Sequence, residues 1–137
     1  MRKSVLAAQP FDNGFSGWGW EDSEWAARVA NLYRLTHIDN TAVHLGLETD
    51  ATLLARFKTS AQNYIRFTTK HPDLAKTLAL YRLSQKLSRV PGQSLLRPLY
   101  HMLAALRFLP MRLRVLGLKL WRASWYASEF KQEKSRA

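Results

Sequence analysis

The sequence has no cysteine at all, and only six glycines and five prolines among its 137 residues. Without cysteine, a disulfide scaffold, a thiolate metal site and a cysteine nucleophile are excluded. No window holds the roughly 18 apolar residues that a membrane-spanning helix needs, because arginine and lysine recur between Leu95 and Tyr126. The N-terminal apolar run is also too short for the core of a signal peptide. These absences favour a cytoplasmic protein.

Acidic residues are scarce beyond position 50, and the chain as a whole has a net charge of +11. Residues 1–50 hold seven acidic and four basic side chains and have a net charge of −3. Residues 51–137 hold three acidic and seventeen basic side chains and have a net charge of +14. This asymmetry indicates different roles for the two parts. The basic part has the charge of a nucleic-acid-binding protein. It lacks helix-turn-helix, zinc and RNA-binding signatures, however, and that function leaves the acidic part unexplained.

Strand signals are rare, and we predict a mainly α-helical chain with few short strands. Residues 10–20 are glycine-rich and indicate a loop, and residues 35–47 indicate two short extended segments around a turn. Apolar spacing, capping residues and prolines mark the helices. These are predicted to begin at Glu21, at Thr49 or Asp50 (with one apolar face as far as Thr68), at Pro72, at Ser94 and at Pro110, the last running to about Phe130. Residues 131–137 are predicted to be a disordered tail.

Residues 15–25, FSGWGWEDSEW, gather three tryptophans, two glycines and three carboxylates. Glu21 and Asp22 stand at a predicted helix start, where the helix dipole keeps a carboxylate ionised. An ionised carboxylate can accept a proton from a hydroxyl nucleophile, and tryptophan faces suit the apolar face of a sugar ring. The pattern favours a carbohydrate hydroxyl that is held against an aromatic ring and deprotonated by an acid.

The same residues also allow a purely structural interpretation. Acids in the first turn of a helix are common capping chemistry. Trp18, Trp20 and Trp25 can simply be core residues, since tryptophan is highly buried on average. Composition and spacing leave both interpretations open.

The segment FDNGFSGWGWEDSEWAARV resembles the Trp-Gly-x-Glu-Asp motif of glycosyltransferases. The form is that found in the C-terminal part of galactosyltransferase-like and chondroitin-synthase-like members and in bacterial family 2 enzymes. Residues 10–12, PFD, and residues 37–48, HIDNTAVHLGLE, are similar to the same bacterial family. The resemblance covers about residues 5–65.

The resemblance implies a role for each residue of the motif. Asp22 is implied to be the base that deprotonates the acceptor hydroxyl in a single inverting displacement at the sugar carbon. Glu21 is implied to hold the acceptor or donor sugar, Trp18 to stack near it and Gly19 to make room. Trp20, which stands where many relatives have glycine, is expected beside them in the substrate pocket.

The resemblance also implies a divalent metal, Mn²⁺ or Mg²⁺, that holds the donor diphosphate. His44 matches the histidine that completes such a site, and imidazole is an acceptable Mn²⁺ ligand. The Asp-x-Asp pair of the nucleotide-binding α/β half does not occur in the sequence. The chain is therefore expected to be the C-terminal fragment of a GT-A-like nucleotide-sugar transferase and to depend on a separate N-terminal half.

On this interpretation, residues 1–48 are the acceptor-side remnant of the catalytic domain, and residues 49–130 are a basic helical region. The expected function is to supply acceptor binding and the catalytic base, with a nucleotide sugar and a glycan acceptor as substrates. The product would be a surface polysaccharide or glycoconjugate. A non-catalytic carbohydrate-binding or assembly module is the alternative.

The basic helical region has a second expected partner, an anionic membrane surface on the inner face of the membrane. Between residues 94 and 130, leucine and aromatic residues alternate with cations, as in helices that lie on such a surface. The alternative is a set of bundle helices with solvated basic faces. The residues expected to meet the lipid are Arg112, Lys119, Arg122, Trp121, Trp125 and Tyr126.

Overall fold

The computed structural model describes residues 3–34, 36, 38–39, 41–43, 46 and 48–136. Within these ranges the chain forms eight α-helices, one 3₁₀ helix and no strand, which confirms the prediction of a mainly α-helical chain. The extended segments predicted at 35–47 fall in part on residues outside those ranges. The elements are α1 (Lys3–Ala8), α2 (Glu21–Ala30), α3 (Asp50–Thr59), α4 (Ala61–Lys70), α5 (Pro72–Thr77), α6 (Ala79–Ser88), a 3₁₀ helix (Gln93–Leu96), α7 (Arg97–Ala105) and α8 (Met111–Arg136).

The longest helix, α8, is the element around which α3, α4, α6 and α7 pack. Its residues Tyr126 and Phe130 lie one turn apart and therefore on the same face. The Tyr64 and Tyr126 rings stack with their centroids 4.3 Å apart, a geometry that adds about 0.5–1.5 kcal/mol to the burial of the two rings. The core thus lies between α4 and α8. The α4 residues buried in it are Ala61, Tyr64, Ile65 and Phe67.

The helix α3 begins where the sequence predicts, because the Thr49 hydroxyl accepts a hydrogen bond from the Thr52 amide at 3.1 Å. The predicted continuation of this helix to Thr68 is interrupted at Ser60, between α3 and α4. Ser60 is fully buried, and its hydroxyl donates to the Phe57 carbonyl. The chain therefore passes from α3 to α4 at a buried polar contact.

Two other elements differ from their predicted lengths. The helix predicted from Pro72 is divided, since Leu78 is extended between α5 and α6, with a ψ angle of 127°. The helix α8 runs to Arg136, so residues 131–136 of the expected disordered tail are helical. These residues are mostly lysine, glutamate, glutamine and arginine, which have high helix propensity and continue the helix.

The helices α7 and α8 approach each other closely at Gly117. A Cβ atom here would lie 2.7 Å from the Ala104 backbone nitrogen and 2.7 Å from the Leu103 Cβ, so only glycine fits. At the other end of α7, the Arg97 guanidinium donates to the Ser124 hydroxyl at 2.9 Å and to the Ser124 carbonyl at 3.0 Å. The two helices are thus antiparallel and are joined at both ends.

The aromatic residues of α8 that were expected at a membrane make contacts within the protein. Tyr126 is fully buried, and Trp121 donates from Nε1 to the Leu54 carbonyl at 3.0 Å. Trp125 lies under the Arg97 guanidinium, whose carbon is 3.6 Å from the ring centroid. The expectation that Tyr126 meets lipid is corrected, because its ring is fully buried. Trp121 and Trp125 are half-buried, and for them the expected contact with lipid stays a prediction.

Of the three cations expected at a membrane, one makes an internal contact and two are exposed. The Arg122 guanidinium carbon is 4.4 Å from the Phe57 ring centroid, which is within the range of a favourable cation–π contact. Arg112 and Lys119 are exposed. No helix in the described part of the chain has the length and hydropathy that crossing a membrane requires.

Candidate functional site

The loop that carries the Trp-Gly-x-Glu-Asp motif includes three residues with left-handed backbone. Gly17, Gly19 and Trp20 have positive φ angles of 76°, 92° and 78°. Glycine adopts this conformation freely, which is a sufficient reason for Gly19. For tryptophan it costs on the order of 1–3 kcal/mol. Contacts of the Trp20 side chain must therefore hold the turn in place.

The Trp20 side chain is anchored in the aromatic core. Its Nε1 donates to Tyr126 Oη at 3.0 Å, and its ring centroid lies 4.5 Å from that of Tyr64 and 5.1 Å from that of Phe67. These contacts correspond to the structural interpretation of this residue, in which the indole belongs to the core. Trp20 thus attaches the motif to the core.

Tyr126 Oη joins the loop, the α3–α4 junction and α8. It accepts hydrogen bonds from Trp20 Nε1 and, at 2.9 Å, from Arg122 Nε. Ser60 Oγ lies 2.7 Å away, and because Ser60 donates its own proton to the Phe57 carbonyl, Tyr126 is the donor of that bond. One proton and two lone pairs are then in use, so the hydrogen-bonding capacity of this buried hydroxyl is filled.

Asn63, a buried residue of α4, fixes the loop from a second direction. Its amide nitrogen donates to the carbonyls of Ser16 and Gly19, both at 2.9 Å. Its amide oxygen accepts from the Ser16 backbone nitrogen at 3.3 Å. Three backbone groups of an irregular loop are thereby satisfied by one side chain, which preorganises residues 16–19.

Trp25 is a packing residue that holds the segment before the loop. Its Nε1 donates to the Gln9 carbonyl at 2.7 Å, and its ring stacks on Phe11 with centroids 5.5 Å apart. Arg28 donates to the Pro10 carbonyl at 2.8 Å. Residues 9–11 are thus tied to α2.

Asp12 ties the same segment to α4. Its carboxylate accepts from the Gly14 amide at 2.8 Å and from Arg66 Nη2 at 3.0 Å, and it pairs with Lys70. The Lys70 ammonium and the Gly14 amide, with a further contribution from Arg66, hold the pKa of Asp12 well below its ordinary range. The residue is therefore an ionised anchor of the loop.

Glu24, the third acid of the motif region, is only 1 % exposed and belongs to an internal ion-pair network. Arg28 Nε lies 2.9 and 3.1 Å from its two carboxylate oxygens, and Lys70 Nζ and His71 Nε2 lie 3.5 and 3.4 Å from Oε1. Burial raises the pKa of Glu24, but the hydrogen bonds from Arg28 and His71 and the charge of Lys70 outweigh it, so the pKa is lowered. Glu24 is committed to joining α2 to the α4–α5 junction.

Glu21 and Asp22 begin α2 and have different surroundings. Asp22 is exposed. Glu21 is half-buried, and its Oε2 is enclosed without a hydrogen-bond partner among the described residues. A buried acceptor without a partner is costly. The exposed carboxylate of Asp22 is accessible to a ligand hydroxyl, whereas the enclosed oxygen of Glu21 is not.

Trp18 packs on α3 at the side of the loop. Its ring meets Phe57 edge-on with centroids 5.6 Å apart, and the Arg56 guanidinium carbon lies 5.7 Å from its ring centroid. Arg56 in turn pairs with Glu48. The indole is only half-buried, so part of its surface is open to a ligand.

His44, the predicted metal ligand, lies outside the described residues. In the ranges that the structure covers, no group of three or more histidine, aspartate and glutamate side chains is placed to hold a metal ion. Mg²⁺ and Mn²⁺ take sets of mainly oxygen ligands. The described residues do not by themselves supply such a set.

Comparison of the chain with protein-family models, with curated proteins and with solved structures found no match. The predicted residues Trp18, Gly19, Glu21 and Asp22 share one turn and one helix start. Asn63 was not among the predicted residues, and its only signal in the sequence is a polar side chain within the apolar stripe of α4.

Proposed function

We propose that this chain is the acceptor-side portion of an inverting, nucleotide-sugar-dependent glycosyltransferase. The observation that supports the proposal most directly is the exposed carboxylate of Asp22 at the start of α2. The preceding turn is held by Asn63 and Trp20. Carboxylates on such a preorganised support suit proton abstraction from a bound hydroxyl.

In the proposed reaction, Asp22 removes the proton from one hydroxyl of the acceptor sugar. The hydroxyl oxygen forms a bond to the anomeric carbon of the donor as the bond from that carbon to the nucleoside diphosphate breaks. The leaving diphosphate keeps the electron pair, and the configuration at the carbon inverts. Glu21 accepts a hydrogen bond from a neighbouring sugar hydroxyl, and the open part of the Trp18 ring packs on the sugar.

The donor side of the reaction is assigned to a separate N-terminal half that carries the Asp-x-Asp pair. A divalent metal, Mn²⁺ or Mg²⁺, would be held mainly there, with His44 as the ligand from this chain. The proposed location is the cytoplasm, and the proposed product is a surface polysaccharide or glycoconjugate.

Turnover of UDP-sugars with a panel of glycan acceptors tests the proposal, once the chain is combined with an N-terminal transferase half. We expect Asp22→Asn to lower kcat by about 10²–10⁴-fold, the usual contribution of a general base, with little change in KM for the acceptor. Asp73→Asn is the matched control, because Asp73 is an exposed aspartate outside the motif. Full turnover by Asp22→Asn would remove Asp22 as the base.

A second candidate function, a carbohydrate-binding or assembly module, is favoured by Trp18. Its half-open indole beside Arg56 can bind a sugar whether or not a base is present. Calorimetric titration of the chain with glycans separates the two functions. Binding that Trp18→Ala weakens and Asp22→Asn does not, without turnover in any combination, would identify a binding module.

A further inference from the structure

The turn between α7 and α8 and the first turns of α8, residues 107–119, form a surface that we name the hairpin tip. Phe108 in the turn is 79 % exposed, and Met111 at the start of α8 is 70 % exposed. Leu113 and Leu116 on α8 are 43 % and 47 % exposed. Large apolar side chains that are exposed together, rather than singly, mark surfaces that bind a partner.

Cations are interleaved with these apolar side chains. Positions 112, 116 and 119 follow helical spacing, so Arg112, Leu116 and Lys119 share one face of α8. All three are exposed, whereas Gly117, against α7, is buried. Arg107 in the turn is 87 % exposed. The surface is therefore both apolar and basic.

Acidic residues do little to neutralise this charge. Between Asp73 and Glu129 the sequence has ten lysines and arginines and no aspartate or glutamate. Asp50 of α3 lies beside the hairpin tip, but Arg114 pairs with it at 3.1 Å and Arg107 is 4.0 Å away. The net charge of the tip remains positive.

We propose that the hairpin tip docks on an anionic membrane surface. Phe108 and Met111 enter the boundary between headgroups and acyl chains, and Arg107, Arg112 and Lys119 meet the lipid phosphates. Apolar burial and electrostatic attraction act together at such a surface, and each cation near it contributes about a fivefold gain in partition.

Two other occupants fit the same observations less well. A second copy of the chain would bring the same cations against one another, and like charges repel. A nucleic acid would pair with the cations through its phosphates but would leave Phe108 and Met111 in water.

Co-sedimentation of the full chain with vesicles tests the proposal. We expect binding to vesicles of phosphatidylcholine mixed with phosphatidylglycerol, whose negative surface potential attracts basic segments, and little binding to pure phosphatidylcholine. The double variant Arg112→Gln/Lys119→Gln should lower the partition coefficient about thirtyfold. The control Arg82→Gln/Arg89→Gln removes the same charge from exposed positions of α6 and its C-terminal end and should change partition several-fold less.

The apolar contribution is tested by Phe108→Ser/Met111→Ser, which keeps every charge. We expect at least a tenfold loss of binding to the anionic vesicles, because the buried apolar area is removed. The control Ile38→Ser/Val43→Ser changes two side chains of similar exposure, 72 % and 85 %, and should bind as the unchanged chain does. Circular dichroism spectra should coincide for all these proteins, since every altered side chain except those at 38 and 43 lies on the outside of the helical region or its turns.

Four results would overturn the proposal. The first is equal partition into neutral and anionic vesicles, and the second is an equal effect of the two charge variants, which would indicate non-specific attraction by the whole basic region. The third is duplex DNA binding that Phe108→Ser/Met111→Ser leaves unchanged while vesicle binding is absent. The fourth is concentration-dependent dimerisation in sedimentation velocity that this variant abolishes, again without vesicle binding. None of these measurements involves a sugar, so they are independent of the proposed glycosyltransferase activity.

Discussion

Trp20 Nε1 donates a hydrogen bond to Tyr126 Oη at 3.0 Å, across 106 positions of sequence. The bond and the ring contacts around it hold Trp20 in a left-handed conformation that a tryptophan would otherwise avoid. Because Glu21 and Asp22 follow directly, their position depends on a side chain of α8. The chemistry proposed for the motif thus rests on a residue that touches no substrate.

Tyr126→Phe should destabilise the protein by about 1–3 kcal/mol, because Trp20 Nε1, Arg122 Nε and Ser60 Oγ lose a buried partner. Urea unfolding followed by tryptophan fluorescence measures the change. Tyr64→Phe is the matched control, since the Tyr64 hydroxyl is buried without a hydrogen-bond partner in the described part of the chain.

The environment of Tyr64 determines the expected result of that control. Burial raises the pKa of Tyr64 well above its ordinary value, as it does for a phenol in apolar surroundings. Removing this hydroxyl costs no hydrogen bond, so Tyr64→Phe should leave the free energy of unfolding unchanged or raise it slightly. Equal destabilisation by both variants would contradict the role assigned to Tyr126.

Asn63→Ala should loosen the motif loop and lower the free energy of unfolding by about 2–3 kcal/mol, since it leaves two carbonyls and one amide of the loop without their partner. Hydrogen exchange should be faster at the Ser16 amide, which Asn63 protects. Gln62→Ala, at the exposed neighbouring position of α4, should change neither quantity appreciably. Unchanged hydrogen exchange at the Ser16 amide in Asn63→Ala would show that the hydrogen bonds of Asn63 are not needed to hold the loop.

Gly117→Ala should force α7 and α8 apart and destabilise the protein by about 1–3 kcal/mol, the usual cost of overpacking. The new methyl group would meet the backbone of Ala104 at 2.7 Å. Lys119→Ala on the exposed face of α8 is the control. Because alanine favours helix more than glycine does, a gain in thermal stability for Gly117→Ala would mean that the two helices separate without cost.

Asp12 should make the stability of the protein depend on pH in the acid range. Its pKa in the folded protein lies below the ordinary value of 3.8, so the unfolded chain takes up the proton first as the pH falls. The contribution is complete well above that value and is lost as the pH falls through it toward the lower pKa of the folded protein. Asp12→Asn should therefore be less stable than the unchanged chain near pH 7, and the difference should shrink on acidification. Guanidinium unfolding at a series of pH values measures this difference in the free energy of unfolding. A difference that stays constant with pH would contradict the lowered pKa of Asp12.

Local signals in the sequence were sufficient for the helical class and for several helix starts. The Thr49 cap of α3 is a contact between residues three apart, and such contacts are readable from sequence. The interruption at Ser60 was not predictable, because it is stabilised by Tyr126, 66 positions away. Likewise, Trp20 has a helical neighbour on one side and glycine on the other, and nothing local indicates that its ring belongs to the core.

The aromatic residues of α8 illustrate why the exposed face of a helix is harder to predict from sequence than the helix itself. Alternating cations and aromatic rings are typical of a membrane-facing helix and equally of cation–π pairs inside a bundle. Arg97 over Trp125 and Arg122 over Phe57 are of the second kind. Burial of Arg97 even lowers its pKa. Only tertiary contacts distinguish the two cases.

The bond between Trp20 and Tyr126 also has a consequence for how the protein is made. A ribosome adds roughly 5–20 residues per second, so the 106 positions that separate the two residues correspond to a delay of roughly 5–20 s. During that interval the motif has been synthesised, but its partner hydroxyl has not. The turn that presents Glu21 and Asp22 therefore reaches its final geometry only after most of α8 has emerged, although it lies near the start of the chain.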